Sequence, residues 1–463
     1  MTTSRGRGRG SVVLAVGLVL AAAGSAALTR PAGRTSAVRS ASASGQLVTR
    51  TQLGCPDHSS GRRVDTSVRL GLVPGPGLGS GGRVRSGAGV ELTRGRLVTV
   101  PSAGGPAVRA GGAAAAGLFG FRADRRPGRT LAVAPCVAPR ARWWFTGAGA
   151  VLDHSSTLLL ANLDPGTAVV DLRVLGPDGD VNTVATTGIV LAPGSRKRFD
   201  LADLAPETDD LAVEVRAERG RVAAAVTDAL RTAPDAAWRE DYLPGTARPG
   251  RALVLAGLPR TAQRRTLLVA NPSELEAVVD VAVSGRSGSF TPTGSTQTSV
   301  APGAVATVDL TRLLGGDEPA AVRLRSSQAV LAVVRSLQDD DETYAAPAAA
   351  LSGPAAAPLV AGARATVQLT AGTVAARARV VAYDARGGRL GATTMSMGPA
   401  ATSAWSPKAG AGYVVVSPTT GRSGRGSGTV QGAVSYRGGG LAAVPLVDLP
   451  LRELRPGVEP GLR

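Results

Sequence analysis

Thr157-Leu-Leu-Leu-Ala-Asn162 returns 109 positions later as Thr266-Leu-Leu-Val-Ala-Asn271, and the register then holds without a gap. Val169-Val-Asp-Leu-Arg-Val174 meets Val278-Val-Asp-Val-Ala-Val283, Ala192-Pro-Gly194 meets Ala301-Pro-Gly303, and Phe199-Asp-Leu201 meets Val308-Asp-Leu310. Of the 61 positions from Ser156 to Arg216, 22 are identical at this offset. A third, decayed copy runs from Thr366-Val-Gln-Leu369 through Val380-Val-Ala-Tyr383 to Tyr413-Val-Val-Val416. Open repeat units that lean on their neighbours, as in solenoids and propellers, recur about every 20 to 50 residues. A unit twice that long is expected to enclose a core of its own.

Within each copy, short alternating runs are separated by turn residues. Gly176-Pro-Asp-Gly179 follows Leu172 to Leu175, and Pro193-Gly194 divides Ile189 to Leu191 from Phe199 to Leu201. This is the pattern of antiparallel strands joined by hairpins. Six or seven such strands in about 100 residues predict an all-β chain of tandem immunoglobulin-like β-sandwich domains. Repeats are expected at 142–240, 251–344 and, in degenerate form, 358–450. The Ala/Pro-rich stretches Thr232 to Gly250 and Ala345 to Ala357 read as linkers. Residues 51–141 lack the repeat and are expected to form a β-rich N-terminal unit.

Ahead of these units, Arg5, Arg7 and Arg9 precede the apolar run Val12 to Ala23 and the small residues Gly24-Ser25-Ala26-Ala27. Those are the parts of a secretory signal peptide. A run of about 18 uncharged residues also stands at the lower edge of a membrane span, so residues 1–28 read as a cleaved signal or a signal anchor, followed by a flexible tether at 29–50. Either reading places the body outside the cytoplasm and confines membrane contact to this segment. An even cysteine pair in an oxidising compartment is most simply a disulfide, Cys55 to Cys136, worth about 4 kcal/mol on the chain-entropy account. With only two Cys and two His, no metal site and no cofactor are expected. The net charge of +18 rests almost wholly on arginine, and only Lys197 and Lys408 are lysine. Seven of those arginines lie in the first 50 residues and the rest are dispersed, which argues for a GC-rich genome and against nucleic-acid binding.

Few residues suggest chemistry. Arg142-Trp-Trp-Phe145 stands out in a chain that is 3% aromatic, and Trp143, Trp144 and Phe145 read either as core packing or as ligand-stacking rings. Neighbours in a strand face opposite sides, so Trp143 and Trp144 are not expected in one core. Asp153-His154-Ser155 holds the residue types of a hydrolytic triad, but consecutive residues rarely meet in space, and the segment reads as a loop. Asp339-Asp-Asp-Glu342 lacks the spacing of a calcium loop and reads as a solvated linker. His58 is the one conceivable base near the first cysteine.

Val48-Thr-Arg50 leading to Cys55-Pro56, the Arg142-Trp-Trp-Phe-x-Gly147 stretch and Leu158-Leu-Leu-Ala-Asn162 together resemble an actinobacterial exported group, domain-of-unknown-function family 5719, over roughly residues 40–450. Asn162-Leu163 departs from the more typical Asn-Pro found at Asn271-Pro272. The resemblance implies location and architecture and transfers no catalytic residue. The expected function is a non-enzymatic, cell-envelope-associated scaffold, or a module binding a wall polymer or another envelope protein. The alternative is a secreted hydrolase with a site around His58.

Overall fold

The structure is a computed structural model that describes residues 44–57, 65–87, 89–101, 107–126, 130–181, 186–246, 248–293, 297–314, 319–338, 341–419 and 428–455. It is all-β, and among the described residues the regular helices are two single-turn pieces. Strands Ser44–Leu47 and Arg452–Arg455 pair with each other in a two-stranded sheet, while Leu47–Arg452 forms one compact unit.

Inside that unit one antiparallel strand order occurs four times. It reads Leu97–Val100, Asp65–Leu72, Leu118–Arg126, Thr130–Pro135, then Arg196–Asp200, His154–Ala161, Ala223–Leu230, Arg239–Leu243. Val305–Asp309, Arg264–Ala270, the second half of Ala321–Gln338 and Asp341–Ala345 repeat it, as do Thr402–Trp405, Arg364–Ala371, Val430–Arg437 and Leu441–Pro445. Each quartet has companion strands: in the first and fourth copies they form a separate four-stranded sheet, and in the second and third they continue the quartet's own sheet, as Gly179–Val181, Ala168–Gly176, Thr208–Arg219 and Arg142–Val151 do through Arg142–Val151 pairing with His154–Ala161. We call each quartet with its companion strands a block. Residues 50–135, which show no match to the 109-residue repeat, form a block with the same strand order as the others.

Local chemistry explains why the copies fold alike. Along His154–Ala161 buried residues alternate with more exposed ones, the signature of a half-covered strand. Gly179 and Gly288, 109 residues apart, adopt φ 126° and 137°, closing equivalent hairpins at a conformation that side chains resist. The recurring Asn has a structural task. Asn162 Nδ2 donates to the carbonyls of Gly166 (2.8 Å) and Leu191 (3.0 Å), and Asn271 Nδ2 donates to Leu275 (2.7 Å) and Val300 (3.0 Å). Both side chains are fully buried, and each gives a donor to a buried carbonyl, of Leu191 or of Val300, that would otherwise be left unpaired.

The sheets stand in a propeller-like arrangement. The last strands, Thr130–Pro135, Arg239–Leu243, Asp341–Ala345 and Leu441–Pro445, meet at the centre, each packing on the next and the fourth on the first. The expectation that a 109-residue repeat argues against such an arrangement fails because the circulating unit is a quartet with its companion strands, nine strands in the second copy and eight in the third, not a single four-stranded blade. The linker readings need correction too. Arg239–Leu243, within the supposed linker Thr232 to Gly250, is a fully buried central strand, and its charged residues hide the apolar alternation by which strands are recognised. Apolar contacts seal the joints: Trp144 and Ala148 share a cluster with Leu268, Val333 and Tyr344, and Phe119 and Phe121 share one with Tyr413 and Val415.

Candidate functional site

The centre carries the polar chemistry that the strand pattern hides. His154 opens its strand rather than lying in a loop, and it is 1% exposed. Its Nδ1 lies 2.5 Å from Asp209 Oδ1 and its Nε2 lies 3.1 Å from both oxygens of Asp228. Gly149 makes the room, since a Cβ there would stand 2.2 Å from the imidazole. Asp228 also accepts from Ser156 Oγ and, at 2.6 Å, from the Tyr344 hydroxyl of the next block. Burial alone would lower the His154 pKa, but Asp228 and Asp209 outweigh it and push the value up to about 10. Burial would likewise raise Asp209, and the imidazole reverses that and holds it low.

An imidazolium protonated on both nitrogens has no lone pair to take a proton from Ser156, and the carboxylate lies between serine and imidazole. The relay that a nucleophilic serine needs is therefore not formed. The group acts as a buried ion knot across the second and third blocks. Next to it Arg335 pairs with Asp210 at 3.1 Å, and Glu342, fully buried, has a carboxyl held well above the usual carboxylate range by desolvation.

The knot has a counterpart one block earlier. Tyr242 donates to Asp124 Oδ2 at 2.6 Å, and Asp124 is gripped by Arg122 Nε at 2.8 and 3.0 Å. Register explains the correspondence. Asp228 pairs with Asp241 and Asp124 with Ala132, so Tyr242 and Tyr344 occupy one position, one residue beyond. In the other two blocks Val133 and Val444 stand there, facing joints where Ser435 and Ser336 replace the aspartates. Asp341 ties the remaining blocks together: its Oδ2 accepts the backbone N–H groups of Leu131 (3.1 Å) and Leu441, and burial pushes its pKa up to about 8.

At the far ends of three central strands lies a mainly apolar cavity of about 510 Å³. Phe121, Trp143, Phe145, Tyr242 and Pro244 line it, with Arg140. Trp143 and Phe145 are stacked with centroids 6.3 Å apart, and the Arg140 guanidinium sits 4.8 Å over the Trp143 ring. Trp143 Nε1 donates to Val222 O at 2.8 Å, which fixes the ring. A smaller pocket of about 160 Å³ adjoins the disulfide and faces Arg196, Lys197 and Arg198.

Cys55 and Cys136 are disulfide-bonded. Trp143, Trp144 and Phe145 are 2%, 3% and 1% exposed, so none is an open platform. Trp143 and Phe145 pair with Val215 and Val213 and point to their side of the sheet; Trp144 pairs with Glu214 and points to the other, which is also covered. Asp153 binds Arg231 at 2.7 Å, and Ser155 is exposed. Asp341 and Glu342, expected to be solvated, are 3% and 0% exposed, while Asp339 and Asp340 lie outside the described residues. His58 and residues 12–28 also lie outside them. Asp124, Asp228 and the two clamp tyrosines escaped the sequence reading. Their trace is the recurring Glu240-x-Tyr242 and Glu342-x-Tyr344 in a chain with five tyrosines. Among the described residues no three or more His, Cys, Asp or Glu are placed to hold a metal ion, and no helix is long and apolar enough to cross a membrane.

A protein-family model described as a family of unknown function (DUF5719) matches residues 99–408, which is 310 of the 463 positions. No curated protein matches the chain.

Proposed function

The chain belongs to DUF5719, a family of unknown function, and from that footing we propose that it is an exported, cell-envelope-associated protein that works without catalysis. In this reading it is a scaffold, or a module that binds a wall polymer or another envelope protein. Each block is an immunoglobulin-like sandwich, and four stand in tandem around the centre, behind residues 1–28 acting as export signal or anchor. One observation carries the proposal: the richest constellation of reactive side chains, around His154, is buried and its imidazole nitrogens are both engaged by carboxylates, so its chemistry goes into holding blocks together. The disulfide hints at an extracytoplasmic setting, where such a bond persists.

Fractionation tests this. Cells producing the full chain are compared with cells producing a chain lacking residues 1–28, the mature amino terminus is sequenced, and retention on isolated cell wall is measured. The full chain is expected in the envelope or medium with Cys55 and Cys136 oxidised, and the truncated one in the cytoplasm. Recovery of the full chain in the cytoplasm with both thiols free refutes the export reading. A full chain that is exported but neither sediments with wall nor co-purifies with an envelope protein refutes the scaffold and binding reading.

A further inference from the structure

The axial cavity holds one cation without a partner. Arg140 is half-buried at its wall, and its guanidinium has neither an ion pair nor a hydrogen bond among the described residues, only the Trp143 face at 4.8 Å. Desolvation lowers its pKa with nothing charged nearby to compensate. A cation in such a place is a standing cost that an incoming anion would relieve. The acid that lines the same cavity does not serve. Asp448 is taken by the Ser352 hydroxyl and by the backbone N–H groups of Ser352 (3.0 Å) and Gly353 (3.0 Å). Arg452 also lines the cavity, and the rest of the wall is mainly apolar and partly aromatic. Its volume of about 510 Å³ falls within the about 300–1,000 Å³ of small-molecule sites, which are typically apolar chambers with a few oriented polar groups.

We propose that this cavity is a binding site for a small amphiphilic monoanion, with the aliphatic body against Phe121, Phe145 and Pro244 and the carboxylate paired with the Arg140 guanidinium beside Trp143. A planar guanidinium offers two parallel N–H donors to a carboxylate, and the aromatic face behind it keeps the fork in one plane. This ligand role goes beyond the scaffold reading and does not depend on it.

Decanoate is the probe, with 1-decanol as its uncharged counterpart, measured on the full chain by titration calorimetry and by the tryptophan fluorescence that Trp143 contributes. Decanoate is expected to bind once per chain, at least tenfold more tightly than decanol. Arg140→Gln is expected to weaken decanoate roughly tenfold to a hundredfold, the scale of a charge-assisted hydrogen bond, and to leave decanol within twofold. Val447 lines the same cavity and is 44% exposed, so Val447→Trp obstructs it without disturbing a core; it is expected to abolish binding of both molecules. Retention of decanoate by Arg140→Gln, equal affinity for decanol, indifference to Val447→Trp, or no decanoate binding at millimolar concentration each overturns the proposal.

Discussion

Replacing Asp228 with Asn isolates the energetic role of the buried knot. The substitution keeps the shape and one of the two oxygens that accept from Ser156 (at Oδ1) and Tyr344 (at Oδ2), turns the other into an amide donor, and removes the charge facing His154 Nε2 at 3.1 Å. A rise in the His154 pKa from 6.5 to about 10 corresponds to about 5 kcal/mol favouring the protonated form. Asp228 supplies the largest favourable share and Asp209 the remainder, so losing Asp228 is expected to cost about 2–5 kcal/mol, in the range for breaking a buried pair. The sign sets the pH window. Because the folded-state pKa is raised, the stabilisation is complete below about pH 6.5 and is lost as pH climbs through about 10. The gap between wild type and Asp228→Asn is therefore widest near pH 6 and nearly closed at pH 10, where the wild-type imidazole is half deprotonated. Asp124→Asn is the internal control: its cation is Arg122, which does not deprotonate over that range, so its cost stays constant. Urea midpoints from pH 6 to pH 10 provide the assay. With two histidines in the chain, imidazole NMR reads the His154 titration directly, the resonance being identified by its loss in His154→Gln. A penalty for Asp228→Asn that is the same at pH 6 and pH 10, or a His154 titrating near 6.5, refutes the reasoning.

Two further perturbations follow from the geometry. Reducing the disulfide between Cys55 and Cys136, 81 residues apart, is expected to destabilise the unit by about 4 kcal/mol on the loop-entropy account, read as a drop in urea midpoint with reductant; an unchanged midpoint tells against it. Asn162→Ala and Asn271→Ala are each expected to lose about 1–3 kcal/mol, because a buried carbonyl, of Leu191 or of Val300, loses its donor in each case; similar costs at both positions in matched denaturation curves check that the two copies share one design.

How far the sequence could be read depended on the kind of signal. Turn glycines and alternating apolar runs have local causes, so the strands around Thr157 to Asn162 and the Gly176 to Gly179 hairpin were legible from the chain. The central strands were not. Arg239-Glu-Asp-Tyr-Leu243 and Asp341-Glu-Thr-Tyr-Ala345 are charged segments that bury themselves only because other blocks supply partners. Tyr344 meets an aspartate 116 positions away and Asp341 meets Leu131 from 210 away. Composition read those stretches as solvated since solvation is what isolated carboxylates prefer. The triad types at Asp153-His154-Ser155 misled in a related way, as the partners of His154 are Asp209 and Asp228, which no spacing rule links to it.

The amino-acid sequence by itself therefore determined an all-β chain with an internal 109-residue repeat and a single cysteine pair, because strand, turn and disulfide preferences act within a segment or follow from composition. Only the tertiary structure decided that four blocks with one strand order, one of them without a sequence trace of the repeat, surround a shared centre. It also decided that the charges there are buried, with Tyr242, Tyr344 and Arg335 reaching across joints to Asp124, Asp228 and Asp210, and that Trp143 and Arg140 come to face one cavity. Those outcomes rest on which blocks touch, and pairing across a joint is a property of the assembled surfaces, not of either segment alone.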